Sequence, residues 1–246
     1  MNPAAPRAMR APGFYDAVAP IVVADPLAAL LGATEDGWIE YRYLDAVKLA
    51  GHSCPTVAGA WLMTGRALAR LYPDALPERG QMRVELRQAA DAGVAGVIAS
   101  IAGLVTGAAA ESGFKGLAGR HGRRDLLRFG IPMQGEIRYT RLGTGQAVEL
   151  AHQPQAVPRP PGLTEKMRAA LAPEADVATR AAFARAWQHW VRAMLIDHAD
   201  DPALMVPGEA VFAELGRNSK FARQMIAGLS RRIVVPDMER LRQGAQ

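Results

Sequence analysis

The segment YLDAVKLAGHSCPTVAGAWLMTGRALARLY, residues 43–72, decides the fold, because it places one tight turn between two helices. Residues 44–49 predict a short helix that ends at the glycine of GHSCP. After the turn, apolar side chains recur at helical spacing as far as the stop at Pro73. Pro55 suits the first position of that second helix, since its missing N–H would have no helical partner there in any case. The sequence therefore predicts a GHSCP turn held at the start of a long helix.

Strand patterns lie on both sides of this segment. Asp36 and Gly37 mark a turn before the strand-forming residues WIEYRYL, and MRVELR alternates apolar and charged side chains. The uncharged run at 92–110 predicts a helix of small residues that packs closely against its neighbours. The predicted fold is α+β, a mixed α/β chain with an antiparallel sheet packed on helices. Three further strands are predicted at 126–129, 136–141 and 147–150.

Composition divides the chain into four parts. Residues 1–13 contain Pro and Arg without an apolar pattern and predict a disordered tail. Residues 14–153 are predicted to form the α+β domain, and PQAVPRPPG at 154–162 is typical of a semi-rigid linker. Residues 163–246 then predict a small all-helical element that acts as a cap or in dimerisation.

Within that C-terminal element, ATRAAFARAWQHWVRAMLIDHA has the strongest helical pattern. Phe183, Trp187 and Trp190 repeat at spacings of three and four, as on one face of a helix. Two shorter helices are predicted at about 209–215 and 220–229. The aromatic face of the first helix is a candidate dimer interface.

Composition and charge restrict the class of protein. Half of the 246 residues are apolar, enough for a sizeable core, and Cys54 is the only cysteine, so no intramolecular disulfide can form. The net charge of +5 comes mainly from arginines spread among acids, so we expect no nucleic-acid partner. The N-terminus has no apolar signal segment, and the run at 92–110 is mostly Ala and Gly. We therefore expect a cytoplasmic protein that does not insert into a membrane.

GHSCP is the one chemically distinctive motif. His52 and Cys54 lie two positions apart between a glycine and a proline, so both side chains can point into one pocket. Imidazole and thiolate are ligands that zinc and other borderline metals prefer. The predicted helix start also favours the thiolate form of the cysteine. The motif predicts a site for a divalent transition metal, zinc foremost, with His121 as the candidate third ligand.

Two other interpretations of the motif stay open. Cys54 can be a small buried hydrophobic residue beside a histidine that caps the turn. Alternatively, Cys54 can be the nucleophile of a hydrolase, although His52 is awkwardly close in sequence to be its base and no catalytic-cysteine motif surrounds it. Two ligands also fall short of what a structural zinc site needs. The residues alone therefore do not predict a structural zinc site.

A loop rich in glycine and arginine, ESGFKGLAGRHGRRD, occupies residues 111–125. Arg120, Arg123 and Arg124 make it a candidate site for a small anionic ligand, because guanidinium groups match carboxylates and phosphates. The alternative is a solvated surface loop.

The order of these motifs resembles the family of the formylmethanofuran dehydrogenase E subunits. That family is similar in having a helix before a GHxCPG turn, a long helix, a strand, a small-residue helix ending in a TGC-like motif, a loop with Gly and Lys, and a β-hairpin. The matching segments here are YLDAVKLAGHSCPTVAGAWLMTGRAL, MRVELR, IAGLVTGAAAESGFKG and DLLRFGIPMQGEIRYTRLGTGQAVEL. They span about residues 37–151, and the GHxCP element and the closing hairpin are the specific parts.

The resemblance implies that His52 and Cys54 are metal ligands. It also implies that the end of the small-residue helix and the following loop line the same pocket. The residues implied there are Thr106, Gly107, Lys115 and Gly116.

This chain departs from the family pattern at two of these positions. Ala108 stands where the family has a third ligand, a cysteine, and Thr56 stands where glycine is usual. A metal bound here would then need a further donor, from His121, Glu111, water, a bound ligand or a partner protein. Loss of one thiolate weakens the binding of soft metals.

The function that the resemblance implies is that of an accessory protein of C1 metabolism, which binds a metal or ligand and is not itself a catalyst. A homodimer or a complex with a partner subunit is expected, and the single cysteine cannot hold an iron–sulfur cluster. A tetrapyrrole-like molecule with Cys54 or His52 as axial ligand is one variant. The alternatives are a metal- or thiol-dependent enzyme that uses the same pair, and an interaction protein whose pocket is vestigial.

Overall fold

The computed structural model describes residues 9–207. A short 3-10 helix at Gly13–Ala17 precedes the first strand, and a π-helical turn at Ala193–Asp197 follows the last helix. The strands are β1 (Ile21–Ala24), β2 (Trp38–Tyr41), β3 (Met82–Leu86), β4 (Leu127–Arg128), β5 (Ile137–Arg141), β6 (Ala147–His152) and β7 (Met205–Pro207). The helices are α1 (Pro26–Leu30), α2 (Tyr43–Ala50), α3 (Pro55–Leu71), α4 (Ala95–Thr106), α5 (Leu163–Leu171) and α6 (Val177–Arg192).

Five strands form one sheet in the order β4-β3-β5-β6-β7. Neighbouring strands are antiparallel except β3 and β4, which pair in parallel. The alternation along β3 places Met82, Val84 and Leu86 in the core, as the sequence pattern predicts. Strands β1 and β2 form a separate antiparallel pair.

Helix α3 lies at the centre of the fold and packs between α4 and the strands β5 and β6. Its small residues make this close approach possible, since a Cβ at Gly59 would overlap the imidazole of His152 on β6. Thr64 on the same helix donates to the carbonyl of Ala60, and its hydroxyl lies 2.8 Å from that of Tyr139 on β5. Because α3 is buried along most of its length, the turn at its N-terminal end is fixed to the core.

The structure confirms the α+β class, with a sheet packed against helices and the helical pair α5 and α6 near the C-terminal end of the described chain. Two strands, β1 and β7, were not predicted. β7 pairs with β6, so the segment after the proline-rich linker adds a strand to the sheet as well as helices. Its three residues end in proline and are too few to show a periodic pattern.

Some predictions fall outside the described residues, namely the first eight residues of the predicted tail and the two helices at 209–215 and 220–229.

The small-residue run forms α4, whose inward side chains include Ile98, Ile101 and Val105 in the core. Between residues 9 and 207, no helix is both long enough and apolar enough to cross a membrane.

Candidate metal- and ligand-binding site

The GHSCP turn joins two helices through one left-handed residue. Gly51 ends α2 with φ of 75°, a conformation that glycine adopts without strain, and Cys54 is the extended N-cap residue of α3. Pro55 begins α3, as predicted. Between them, Ser53 is buried, and its hydroxyl lies 2.9 Å from the hydroxyl of Tyr43 on α2. The turn is therefore held by the core beneath it.

The imidazole of His52 has a defined hydrogen-bonding pattern. Its Nδ1 lies 2.9 Å from the carbonyl oxygen of Ala50. Because a carbonyl can only accept, Nδ1 must donate and carries the proton. The lone pair of the neutral ring then resides on Nε2. A backbone carbonyl bonded to the other ring nitrogen is the usual way in which proteins orient a metal-binding histidine.

The thiol of Cys54 is half-buried at the N-terminal end of a 17-residue helix. It makes no side-chain capping bond to α3, and no hydrogen bond to its Sγ is formed within residues 9–207. The positive end of the helix dipole favours a negative charge at this position. Sγ is therefore free to bind a ligand or a metal.

Helix α6 is anchored directly on this turn. The indole N–H of Trp187 donates to the carbonyl oxygen of Ser53 at 3.0 Å, and the side-chain amide of Gln188 donates to the same oxygen at 3.2 Å. The hydroxyl of Tyr15 in turn donates to Gln188 at 3.2 Å. These contacts join residues more than a hundred positions apart and fix the aromatic face of α6 beside His52 and Cys54.

A cavity of about 620 Å³ lies between the turn and the C-terminal helices, within the size range of small-molecule sites. One side is formed by the turn and the start of α3, a second by the start of α4, and a third by α5 and α6. The lining residues are His52, Cys54, Pro55, Thr56, Val94, Val97, Arg159, Leu163, Thr164, Met167, Trp187 and Trp190.

Two tryptophans and one arginine give this cavity its chemical character. The indole N–H of Trp190 donates to the carbonyl oxygen of Val157 at 3.1 Å, so its polar group is satisfied within the protein, as is that of Trp187. The two rings meet edge to face with centroids 5.8 Å apart. Cζ of Arg159 lies 5.2 Å from the ring centroid of Trp190. The walls therefore offer aromatic carbon and one cation.

The structure places the predicted loop residues away from this cavity lining. Thr106 is buried at the end of α4, where its hydroxyl donates to the carbonyl of Ala102 at 2.7 Å. Gly107 follows as the left-handed residue that ends the helix. The side chains of Lys115, Arg120 and Arg124 are exposed on the loop, and Gly116 in the same loop has a left-handed φ of 94°. The loop shows the features of a solvated surface segment, and its predicted ligand remains a prediction.

Arg123 is the exception among the loop arginines, because it is buried in an ion pair. Its guanidinium donates to one carboxylate oxygen of Asp25 at 2.7 Å, and Arg79 donates to the other oxygen at 2.7 Å. Burial alone would raise the pKa of Asp25, but the hydrogen bond from Arg79 and the charge of Arg123 outweigh it and hold that pKa below its usual range. Gly80 and Gly107 leave the room that the guanidinium of Arg123 needs. Arg123 therefore connects the loop to the core.

His121, the predicted third metal ligand, adopts a left-handed backbone conformation with φ of 58° in the same loop and does not line the cavity. The structure thus brings together His52 and Cys54 and leaves His121 elsewhere. Within residues 9–207, no three side chains of His, Cys, Asp or Glu are close enough to hold one metal ion.

The sequence pattern predicts a dimer interface at Trp187 and Trp190, which stays a prediction, and it does not indicate Arg159 or Met167 as part of a site. One signal in the sequence was available: Arg159 is the one basic residue of the proline-rich linker, in a segment that otherwise lacks charge. The position of the tryptophans over the turn depends on a long-range contact, which no local pattern reveals.

No protein-family model matches this chain, and no curated protein matches it.

Proposed function

We propose that this protein binds a metal ion or a metal-carrying small molecule in the cavity beside the GHSCP turn, as an accessory protein of the type implied by the resemblance to the formylmethanofuran dehydrogenase E subunits. One observation carries the proposal: His52 and Cys54 line one cavity. Because Nδ1 of His52 is bonded to a backbone carbonyl, its Nε2 has the lone pair that can bind a metal beside the thiol of Cys54.

The donor set fits a divalent transition metal. Thiolate sulfur and imidazole nitrogen are shared ligands of zinc, and zinc is the metal that we expect first. The carbonyl of Ala50 supports the imidazole in the way that groups bonded to metal-binding histidines usually do. The remaining donors would come from water, from a bound molecule or from a partner protein, including a second copy of this chain.

The cavity lining favours binding over catalysis. Apart from His52 and Cys54, the lining residues in the described part of the chain include no carboxylate, lysine or tyrosine that could act as a general acid or base. Most of the remaining side chains are aliphatic or aromatic. A free thiol as ligand also suits a reducing compartment, and we place the protein in the cytoplasm.

Metal analysis of the full chain tests this proposal. The wild-type protein, purified under reducing conditions and dialysed against zinc, is expected to retain stoichiometric metal by mass spectrometry. Cys54→Ala and His52→Ala should each weaken zinc binding by about tenfold or more, since each removes a direct ligand. His189→Ala is the matched control, because His189 is an exposed histidine on α6 that does not line the cavity.

Equal zinc content in the wild type and in Cys54→Ala would contradict the proposal. Turnover of a hydrolase or redox substrate that requires Cys54 without any metal would support the thiol-dependent enzyme instead. The thermal unfolding midpoint of each variant should stay near that of the wild type, since the side chains of His52 and Cys54 make no hydrogen bond to another side chain within residues 9–207.

A further inference from the structure

The cavity beside the turn has an aromatic wall that metal binding alone does not explain. Trp187 and Trp190 both line it, and the N–H of each indole is already bonded to a backbone carbonyl. What they offer to a ligand is therefore aromatic carbon, a surface suited to a flat conjugated ring system. Val94, Val97 and Met167 extend the apolar lining on the other elements.

Arg159 adds a cation at the same cavity. The residue is exposed, and its guanidinium lies over Trp190 with Cζ 5.2 Å from the ring centroid. No carboxylate within residues 9–207 forms an ion pair with it. The planar fork of an arginine matches a carboxylate group, so the cavity is complementary to an acidic ligand.

The number of protein donors sets a further condition on the ligand. His52 and Cys54 supply the imidazole and the thiol of the cavity, and among residues 9–207 no third side chain of His, Cys, Asp or Glu joins them. A metal held by a conjugated macrocycle brings its in-plane nitrogen donors with it and needs only an axial ligand from the protein. His52 and Cys54 are thus sufficient as protein ligands for a metal that is already bound in such a ring.

Resting on the proposed function, we infer that the ligand is a metallo-tetrapyrrole: a flat, conjugated metal complex that carries carboxylates. Its ring lies mainly against the half-buried Trp187, since Trp190 is only 5% exposed; a carboxylate contacts Arg159, and Cys54 or His52 is the axial ligand of the metal. The cavity volume of about 620 Å³ suits a small molecule and is much larger than a bare ion needs.

Titration of the full chain with two probes tests this inference. Ferric protoporphyrin IX and metal-free protoporphyrin IX share the ring and the carboxylates, and only the first can take an axial ligand. We expect both to bind with one-to-one stoichiometry and to quench tryptophan fluorescence. Cys54→Ala or His52→Ala should change the main absorption band of the ferric complex and leave the affinity for the metal-free ring within about twofold.

Charge reversal at the cavity mouth tests the carboxylate contact. Arg159→Glu should weaken the binding of both probes by about tenfold or more, the loss expected for a charge-assisted contact. Arg168→Glu is the matched control, because Arg168 is an exposed arginine of α5 that does not line the cavity, and we expect no change there.

The outcomes separate this inference from the proposed function. Zinc binding that depends on Cys54, with no binding of either porphyrin, overturns the inference and leaves the proposed function standing. Porphyrin binding that is equal in the wild type, Arg159→Glu and Arg168→Glu is adventitious and also overturns the inference. Ferric porphyrin whose spectrum is the same in the wild type and in both ligand variants overturns the axial contact and, with it, this inference, whereas the proposed function is decided by the zinc measurement.

Discussion

The buried arginine cluster around Asp25 and the cavity beside the GHSCP turn use polar side chains in opposite ways. In the cluster, both carboxylate oxygens of Asp25 are bonded to arginines, and Arg79 also donates to the last carbonyls of α4. In the cavity, Sγ of Cys54, Nε2 of His52 and the guanidinium of Arg159 have no hydrogen-bond or ion-pair partner within residues 9–207.

The paired side chains of the cluster contribute to stability, whereas the unpaired side chains of the cavity are available for binding. The buried carboxylate of Asp25, with both oxygens bonded to arginines, holds the loop of residues 111–125 and the end of α4 to the core, and removing one partner is costly. Donors left unpaired at a cavity add little to stability and are available to a ligand. The arginines of the predicted anion site thus have different roles, and the cation at the cavity is one that the sequence did not single out.

Replacing one arginine of each region by methionine should give the largest difference in the free energy of unfolding. Arg123→Met leaves Asp25 with one arginine fewer and is expected to lower the free energy of unfolding by about 3–5 kcal/mol. Arg159→Met, at an exposed position, should change it by less than about 0.5 kcal/mol. Denaturant unfolding of both variants measures the difference. Equal effects of the two substitutions would show that the cluster does not hold the loop.

His152 on β6 is a further buried polar residue, and its ring packs on Gly59 of α3. Burial lowers the pKa of this histidine to about 4, below its ordinary value of about 6.5. The unfolded chain therefore takes up a proton first as the pH falls. The contribution of His152 to stability is complete above pH ~6.5 and should decrease by up to about 3 kcal/mol as the pH approaches 4.

His152→Phe keeps a ring against Gly59 and removes this titration. Between pH 7 and pH 4 the unfolding free energy of the wild type should fall relative to that of the variant, because only the wild type loses stability through this group. Burial raises the pKa of Glu136 and opposes the trend in both proteins, so the difference between them is the quantity to measure. A difference independent of pH would contradict a buried neutral His152.

A smaller loss in the free energy of unfolding is expected from a substitution at the cavity wall. Trp187→Phe removes one of the two donors to the carbonyl of Ser53 and leaves Gln188 in place. The expected loss is about 1 kcal/mol in the free energy of unfolding, the net value of one hydrogen bond. Trp38→Phe on β2, in the separate strand pair, is a control for the loss of an indole. A larger loss from Trp38→Phe than from Trp187→Phe would argue against the anchoring of α6 on the turn.

Local patterns were sufficient for the parts of this fold that are determined locally. The start of α3 at Pro55 and the end of α2 at Gly51 follow from the conformations of proline and glycine, and the buried face of α3 follows from its spacing. β1 and β7 are too short for a periodic signal, and they are strands because a neighbouring strand pairs with them. Pairing of this kind is decided by tertiary contacts.

The site was predictable to the same extent and no further. The GHSCP motif indicated His52 and Cys54 because their spacing is local. Arg123 finds Asp25 across 98 positions of sequence, and Trp187 reaches Ser53 across 134, so neither the paired arginine nor the aromatic wall could be read from a segment. The prediction that the loop after α4 lines the pocket depended on the resemblance, and the tryptophan helix occupies one side of the cavity.

Cobalt substitution tests the central claim most directly, because Co²⁺ reports its own ligands by absorption. The account predicts a thiolate-to-cobalt charge-transfer band when Co²⁺ is added to the reduced wild-type protein, loss of that band in Cys54→Ala, and a shift of the visible bands in His52→Ala. A cobalt spectrum without a thiolate band, and unchanged by either substitution, would contradict a metal site at the GHSCP turn.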